Sequence, residues 1–174
     1  MTTVVLIPTE QEAAPLRRLA PHAPIRICGV GPAAAAAATA AIIRDERPDR
    51  ILLAGIAGAY GDAAEVGEVY AVAEEREPEI PARFAAVRRA GFMPEGLHAV
   101  VANTSTRTEA PAAGAQLENM EGAAVYAVCT ALGVPCCEVR AVSNRVGEPF
   151  AVWRTHEAAE RLAQAVARIL DAGK

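Results

Sequence analysis

The sequence predicts an α/β fold, with a mainly parallel, twisted central sheet and helices on both of its faces. Three observations predict it. Short β-type runs alternate with helical stretches along the whole chain. The first run, Val4-Val5-Leu6-Ile7, is apolar throughout, as a strand covered on both sides is. Glycine and polar residues gather just after the runs, where ligands bind in such sheets.

Taken in order, Val4–Ile7 reads as a buried strand and Glu10–Leu19 as a helix. Ile25–Cys28 is a second strand. The alanine-rich stretch Pro32–Arg44 is a long helix, with Pro32 in the first turn and alanines that favour helix and close packing. Ile51–Ala54 is a third strand, ending in the turn Gly55-Ile56-Ala57-Gly58. Val69–Ala73 is a fourth, followed by the charged loop Glu74-Glu75-Arg76-Glu77-Pro78. Ala82–Ala90 is expected to be helical, with Gly91 at its C-terminal end. His98–Ala102 reads as a strand, Asn103–Gly114 as a polar loop and Asn119–Leu132 as a helix. Cys137–Val142 is a strand and Thr155–Leu170 the closing helix. There is no internal repeat and no linker, so residues 1–174 are expected to form one domain.

The composition bounds the function. Hydrophobic residues make up 52% and charged residues 22%, a globular balance. Seventeen Lys and Arg stand against 21 Asp and Glu, a net charge of −4, which argues against a nucleic-acid partner. No apolar run approaches the ~20 residues of a membrane span, and the N-terminus enters a strand without a basic leader. A cytoplasmic protein without membrane contact is expected. Cys28, Cys129, Cys136 and Cys137 lie in apolar stretches and read as buried thiols of a reducing compartment. His22, His98 and His156 are scattered without ligand spacing, so no metal is expected, and no cofactor either.

Four segments could carry chemistry. Glu12 closes Thr9-Glu10-Gln11-Glu12 after the first strand. Such a carboxylate usually serves the helix start, but it could also act as a general base for water. Gly29-Val30-Gly31-Pro32 joins strand to helix. It lacks the third glycine of a dinucleotide fingerprint, since Ala34 follows, and it has no Gly-Lys-Ser/Thr, so neither a nicotinamide site nor a P-loop is present. In Glu118-Asn119-Met120-Glu121-Gly122-Ala123-Ala124, Asn119 is a plausible N-cap. The small, apolar surroundings imply that Glu121 is partly buried and needs donors, which two ribose hydroxyls would supply. Arg140-Ala141-Val142-Ser143-Asn144 closes a strand. Its plainer reading is a turn-forming Ser-Asn pair, and its functional one is an amide able to read a purine edge.

At these residues the chain resembles the purine nucleosidase/phosphorylase family. Pro8-Thr9-Glu10-Gln11-Glu12 is similar to that family's first strand-end segment, and Gly55-Ile56-Ala57-Gly58-Ala59 to its glycine-rich turn. Asn119–Ala124 is similar to its ribose-gripping motif and Arg140–Asn144 to its base-recognition motif. Within the family the resemblance is greatest to the futalosine hydrolases of menaquinone biosynthesis, with the methylthioadenosine/S-adenosylhomocysteine (MTA/SAH) nucleosidases next. It implies a nucleoside phosphorylase-like fold, a small-molecule purine nucleoside as partner, no cofactor, and a homodimer or higher homo-oligomer. It also implies roles: Glu12 activating water, and Glu121 on the ribose 2′ and 3′ hydroxyls with Met120 on the ribose face. Asn144, as a catalytic residue, and backbone groups near Asn103 and Thr104 would hold the base, with Gly55, Ile56, Asn119 and Ser143 also binding the substrate.

Two departures are informative. The MTA/SAH enzymes carry an aspartate where this chain has Asn144. An aspartate can protonate N7 of a departing adenine, whereas an asparagine can only donate a hydrogen bond to N7 or O6, which favours hypoxanthine as leaving group. The chain is also shorter than typical members by a few tens of residues, the difference falling between Ala73 and Pro81. Neither glycine turn carries a lysine or arginine, Arg26 sits inside its strand and Arg107 on a loop, so water rather than phosphate is the expected nucleophile. The alternatives are an MTA/SAH nucleosidase and a shortened, non-catalytic purine nucleoside-binding module.

Overall fold

The computed structural model describes residues 1–107 and 109–173. Its elements in chain order are β1 (Thr3–Ile7), α1 (Glu10–Leu19), β2 (Ile25–Ile27), α2 (Pro32–Glu46), β3 (Arg50–Ala59), β4 (Val69–Arg76) and β5 (Arg88–Arg89). There follow β6 (His98–Thr104), β7 (Leu117–Asn119), α3 (Gly122–Leu132), β8 (Cys136–Arg145), a 3₁₀ turn (Phe150–Val152) and α4 (Thr155–Ala172).

The sheet is mixed. β1 pairs in parallel with β2 and β3, β3 with β8, and β6 with both β4 and β7. Antiparallel pairs join β3 to β7, β4 to β5 and β4 to β8. Because β3 pairs with both β7 and β8, the order β3-β8-β4-β6-β7 returns to β3 and closes a small ring, from which β1 and β2 extend as an open wing. The ring is filled by small side chains, among them Ala57 and Ala59 of β3, Val72 of β4, Ala102 of β6 and Val142 of β8.

Two further cores cover the sheet. The alternation of β1 sends Val5 and Ile7 to a face packed by Leu16 of α1 and Leu162 and Val166 of α4. Val4 and Leu6 go to the opposite face, against Ile43 of α2 and Val125, Tyr126 and Cys129 of α3. An apolar run buried on both sides is the reason β1 lacks an alternating pattern.

The departures from expectation have physical causes. Residues 82–90 form no helix; the segment makes turns and then β5, because Arg88 and Arg89 pair with Glu75 and Glu74 of β4. The charged stretch after Ala73 is not a loop at its start, since β4 continues through Arg76. Its carboxylates find cations: Glu74 with Arg76 at 2.6 Å and Glu77 with Arg88 at 3.1 Å. β3 runs through Gly55–Gly58 instead of turning there, held by β8 on one side. Asn103 and Thr104 belong to β6 rather than to a loop. The helix expected from Asn119 starts at Gly122, because residues 117–119 pair with β3 and β6 as β7.

Candidate active site

A cavity of about 480 Å³ opens at the carboxyl ends of β1, β3 and β8, between the start of α1, the segment before α3 and the first turns of α4. That is where ligands bind in open α/β sheets. Among the residues expected at the site, Glu12, Ile56, Asn119, Met120, Glu121, Ser143 and Asn144 line it. Asn103, Thr104 and Gly55 do not; they form the layer behind.

Glu12 is fixed at both carboxylate oxygens. Thr9, the N-cap of α1, donates from its hydroxyl to Oε1 at 2.7 Å, and the backbone N–H of Ile56 donates to Oε2 at 2.9 Å. Burial raises its pKa above the ordinary carboxylate value, outweighing these donors and the charge of Arg140. The raised value makes Glu12 more basic than an ordinary carboxylate.

Glu121 is buried at the N-cap of α3. Its Oε1 accepts from the Gly31 N–H at 3.1 Å, which explains the glycine turn before α2, and its Oε2 accepts from Arg140 Nη2 at 3.2 Å. Asn119 does the capping: its Oδ1 accepts from the N–H groups of Glu121 and Gly122 at 2.9 and 2.8 Å.

Asn144 is held by its neighbours. Ser143 Oγ donates to its Oδ1 at 2.7 Å, and its Nδ2 donates to the Arg145 carbonyl at 2.8 Å. That fixes which way the amide faces and leaves its second N–H for a ligand. Thr104 instead donates to Glu75 at 2.7 Å and accepts from the Ala123 N–H. Asn103 Nδ2 donates to Tyr60 and to the carbonyls of Pro111 and Ala112, which ties down the loop after β6.

Arg140 is the residue to which sequence reasoning gave no role. It is 1% exposed and central: Nε donates to Glu138 at 2.6 Å, Nη1 to the Ile56 carbonyl at 3.1 Å, and Nη2 to Asn119 and Glu121, both at 3.2 Å. A Cβ on Gly55 would collide with its guanidinium, so that glycine makes the approach possible. The missed signal was Glu138 and Arg140 at a spacing of two inside an apolar strand, which places both on one face. Phe150 and Trp153 at the cavity mouth were also missed; their rings lie 5.2 Å apart, and Phe150 is 72% exposed.

The cations that line the cavity each have a carboxylate. Arg140 has Glu121 and Glu138, Arg18 has Glu160 at 2.5 Å, and Arg107 has Glu79 at 3.3 Å. Arg26 lies elsewhere, on Glu46. Among the described residues no group of three or more His, Cys, Asp or Glu could hold a metal ion, and no helix is long and apolar enough to cross a membrane.

Comparison with known proteins places the chain in a family. The Phosphorylase superfamily profile matches residues 91–172. The chain is 38% identical to the futalosine hydrolase of Thermus thermophilus, over 82% of this chain and 78% of that protein. It is 34% identical to the futalosine hydrolase of Streptomyces coelicolor, over 88% of this chain and 81% of that protein. Among solved structures, the fold matches 5′-methylthioadenosine/S-adenosylhomocysteine nucleosidase from Helicobacter pylori with a TM-score of 0.85 at 15% identity, covering 99% of each chain. It matches futalosine hydrolase of the same organism with a TM-score of 0.83 at 16% identity, covering 98% of this chain and 97% of that one.

Proposed function

The chain belongs to the futalosine hydrolase family within the phosphorylase superfamily, and from that premise we propose that it hydrolyses the N-ribosidic bond of futalosine, releasing hypoxanthine. The observation that carries the reading is the pairing of Glu12 and Glu121 on one cavity wall, each fixed by a backbone N–H, with Asn144 lining the same cavity.

Cleavage passes through a cationic, oxocarbenium-like ribose, as in other glycosides. Glu121 accepts the two ribose hydroxyls on its remaining lone pairs, and its charge favours the cationic sugar. Met120 packs on the ribose. Glu12 takes the proton of the attacking water. Asn144 donates a hydrogen bond from its second amide N–H to N7 or O6 of the 6-oxopurine, which leaves with the electron pair of the N-ribosidic bond as an anion and takes up the equivalent of the proton that Glu12 removed from water. Water is the nucleophile, because each guanidinium in the cavity already faces a carboxylate. The reading carries with it a place in menaquinone biosynthesis, a cytoplasmic location and a homo-oligomeric state.

The test is incubation of the purified protein with futalosine, methylthioadenosine or inosine, with and without phosphate, followed by chromatography of the free base. Phosphate-independent hypoxanthine release from futalosine is expected. Adenine release from methylthioadenosine in its place would overturn the reading of Asn144. Binding without any release would favour a non-catalytic nucleoside-binding module.

A further inference from the structure

Behind the cavity wall lies a second pair of carboxyls that the hydrolytic reading does not use. Glu75 on β4 and Glu138 on β8 are both 0% exposed. They meet over Gly122, the first residue of α3, where an added Cβ would collide with Glu75 Oε1 and Glu138 Oε2 at once. Two carboxylates cannot share that space while both are ionised.

The hydrogen bonds say where the proton is. Glu75 Oε1 accepts from Asn119 Nδ2 at 2.6 Å, and Oε2 accepts from the Thr104 hydroxyl at 2.7 Å. Glu138 Oε1 accepts from Arg140 Nε at 2.6 Å, but its buried Oε2 has no donor. A proton on Glu75 Oε1, directed at Glu138 Oε2, satisfies that orphan and removes the repulsion. We propose that Glu75 and Glu138 share one proton over Gly122 and act as positioning residues, holding Arg140 and Asn119 and through them Glu121. The inference rests on the nucleosidase reading of the cavity.

Two routes lead from the pair to Glu121. Glu138 aims the guanidinium whose Nη2 reaches Glu121. Glu75 fixes the amide of Asn119, so that its Oδ1 must face the N–H groups of Glu121 and Gly122. The charges also balance. With Glu75 neutral, Arg140 faces one anion on each side, and Glu121 keeps enough negative charge to favour a cationic sugar. Burial raises both pKa values; the charge of Glu138 raises that of Glu75 further, while Arg140 and the hydrogen bond with Glu75 oppose the rise at Glu138, so Glu75 is the one of the two that holds the proton more tightly. Arg140 and Glu121 act on the pair by their charges; the neutral titratable groups near it are Tyr126 of α3, Tyr60 after β3, and Cys136 and Cys137 of β8, where burial raises Tyr126, Tyr60 and Cys137, and the contact with Cys129, then burial, raises Cys136, so these four stay neutral while the pair titrates.

The geometry distinguishes two substitutions. In Glu138→Gln the amide oxygen still accepts from Arg140, and the amide N–H supplies the bond that the shared proton made, so Glu75 becomes an ordinary carboxylate with three donors. In Glu138→Leu the Arg140 Nε loses its partner. Wild type is expected to give an infrared carboxylic-acid band at neutral pH that is absent in Glu138→Gln, and a kcat/KM that falls on the alkaline side. Glu138→Gln should keep kcat within a factor of a few and lose the alkaline fall. Glu138→Leu should lose about 10²-fold in kcat, with a smaller change in KM, as displaced catalytic groups do. If Glu138→Leu does not fold, the band and the pH profile of Glu138→Gln decide alone.

Absence of the band in wild type would overturn the shared proton, whatever the activity. A band together with an alkaline fall that persists in Glu138→Gln would overturn the positioning role. A wild-type band with no turnover of any nucleoside would sink the hydrolase reading and the positioning role with it, while leaving the shared proton in place.

Discussion

At the scale of single residues, the site is a set of carboxylates given different tasks by their surroundings. Glu12 and Glu121 each have one backbone N–H donor, but only Glu121 also has a guanidinium within hydrogen-bond reach. That difference is what supports the proposed assignment of Glu12 as the base. Glu12→Gln should lower kcat about 10²–10⁴-fold, the usual worth of a general base, measured with futalosine at saturation. Because the pKa of Glu12 is raised and only its ionised form can take a proton, wild-type kcat/KM should fall as the pH drops, with a midpoint above the ordinary 4.5 of a glutamate. A midpoint at or below that value would remove the role of burial. Asn144→Asp should shift preference from 6-oxo toward 6-aminopurines, since a protonated carboxyl can give its proton to N7; unchanged discrimination between inosine and adenosine would discard the assignment. The cysteines need no chemistry: burial pushes the Cys28 thiol up to about 12 and holds it protonated.

At the scale of elements, α4 links stability to the site. Its apolar face sends Leu162 and Val166 into the core shared with α1 and β8, while Thr155, His156 and Ala159 at its start line the cavity. Leu162→Ala should cost about 2–5 kcal/mol in chemical denaturation, the range for a buried leucine replaced by alanine, and should raise KM by loosening that wall. A loss of stability without any change in KM would separate the helix from the site. β4 and β8 have a comparable double duty. Antiparallel to one another, they bring Glu75 and Glu138 together over the start of α3, so the register of two strands sets the distance between two carboxyls. That register places Val72 opposite Glu138, three residues before Glu75, and the sheet irregularity between Val72 and Glu74 bends β4 at this point.

At the scale of the whole molecule, the ring β3-β8-β4-β6-β7 is what allows charges in the core. It gathers Arg140 and Glu138 of β8, Glu75 of β4 and Asn119 of β7 from three separate stretches of chain, so that each has partners when buried. The arrangement makes stability depend on pH. The folded-state values of Glu75 and Glu138 are raised, so their contribution is complete below the ordinary carboxylate value and is lost as the pH rises through the raised values. Unfolding at neutral pH should therefore release protons, detectable as a dependence of the calorimetric enthalpy on buffer. Glu138→Gln should release fewer, and equal release from both would place the proton elsewhere.

The sequence by itself determined the local and the ordered. The buried character of Val4–Ile7, the helices from Glu10, Pro32 and Thr155, and the succession Glu12, Glu121, Asn144 were all legible, because residue type, spacing and order are properties of the chain. The helix expected over 82–90 was not formed, since Arg88 and Arg89 found the glutamates of β4 across a sheet edge that no window of sequence contains. Asn103 and Thr104 were placed in the site by position, but they stand behind it, because their strand turns those side chains to Tyr60 and Glu75. The centrality of Arg140 and the meeting of Glu75 with Glu138 were decided only in three dimensions. A buried charge is tolerated or not according to the groups that surround it, and those groups come from strands far apart in sequence that become neighbours only when the ring closes.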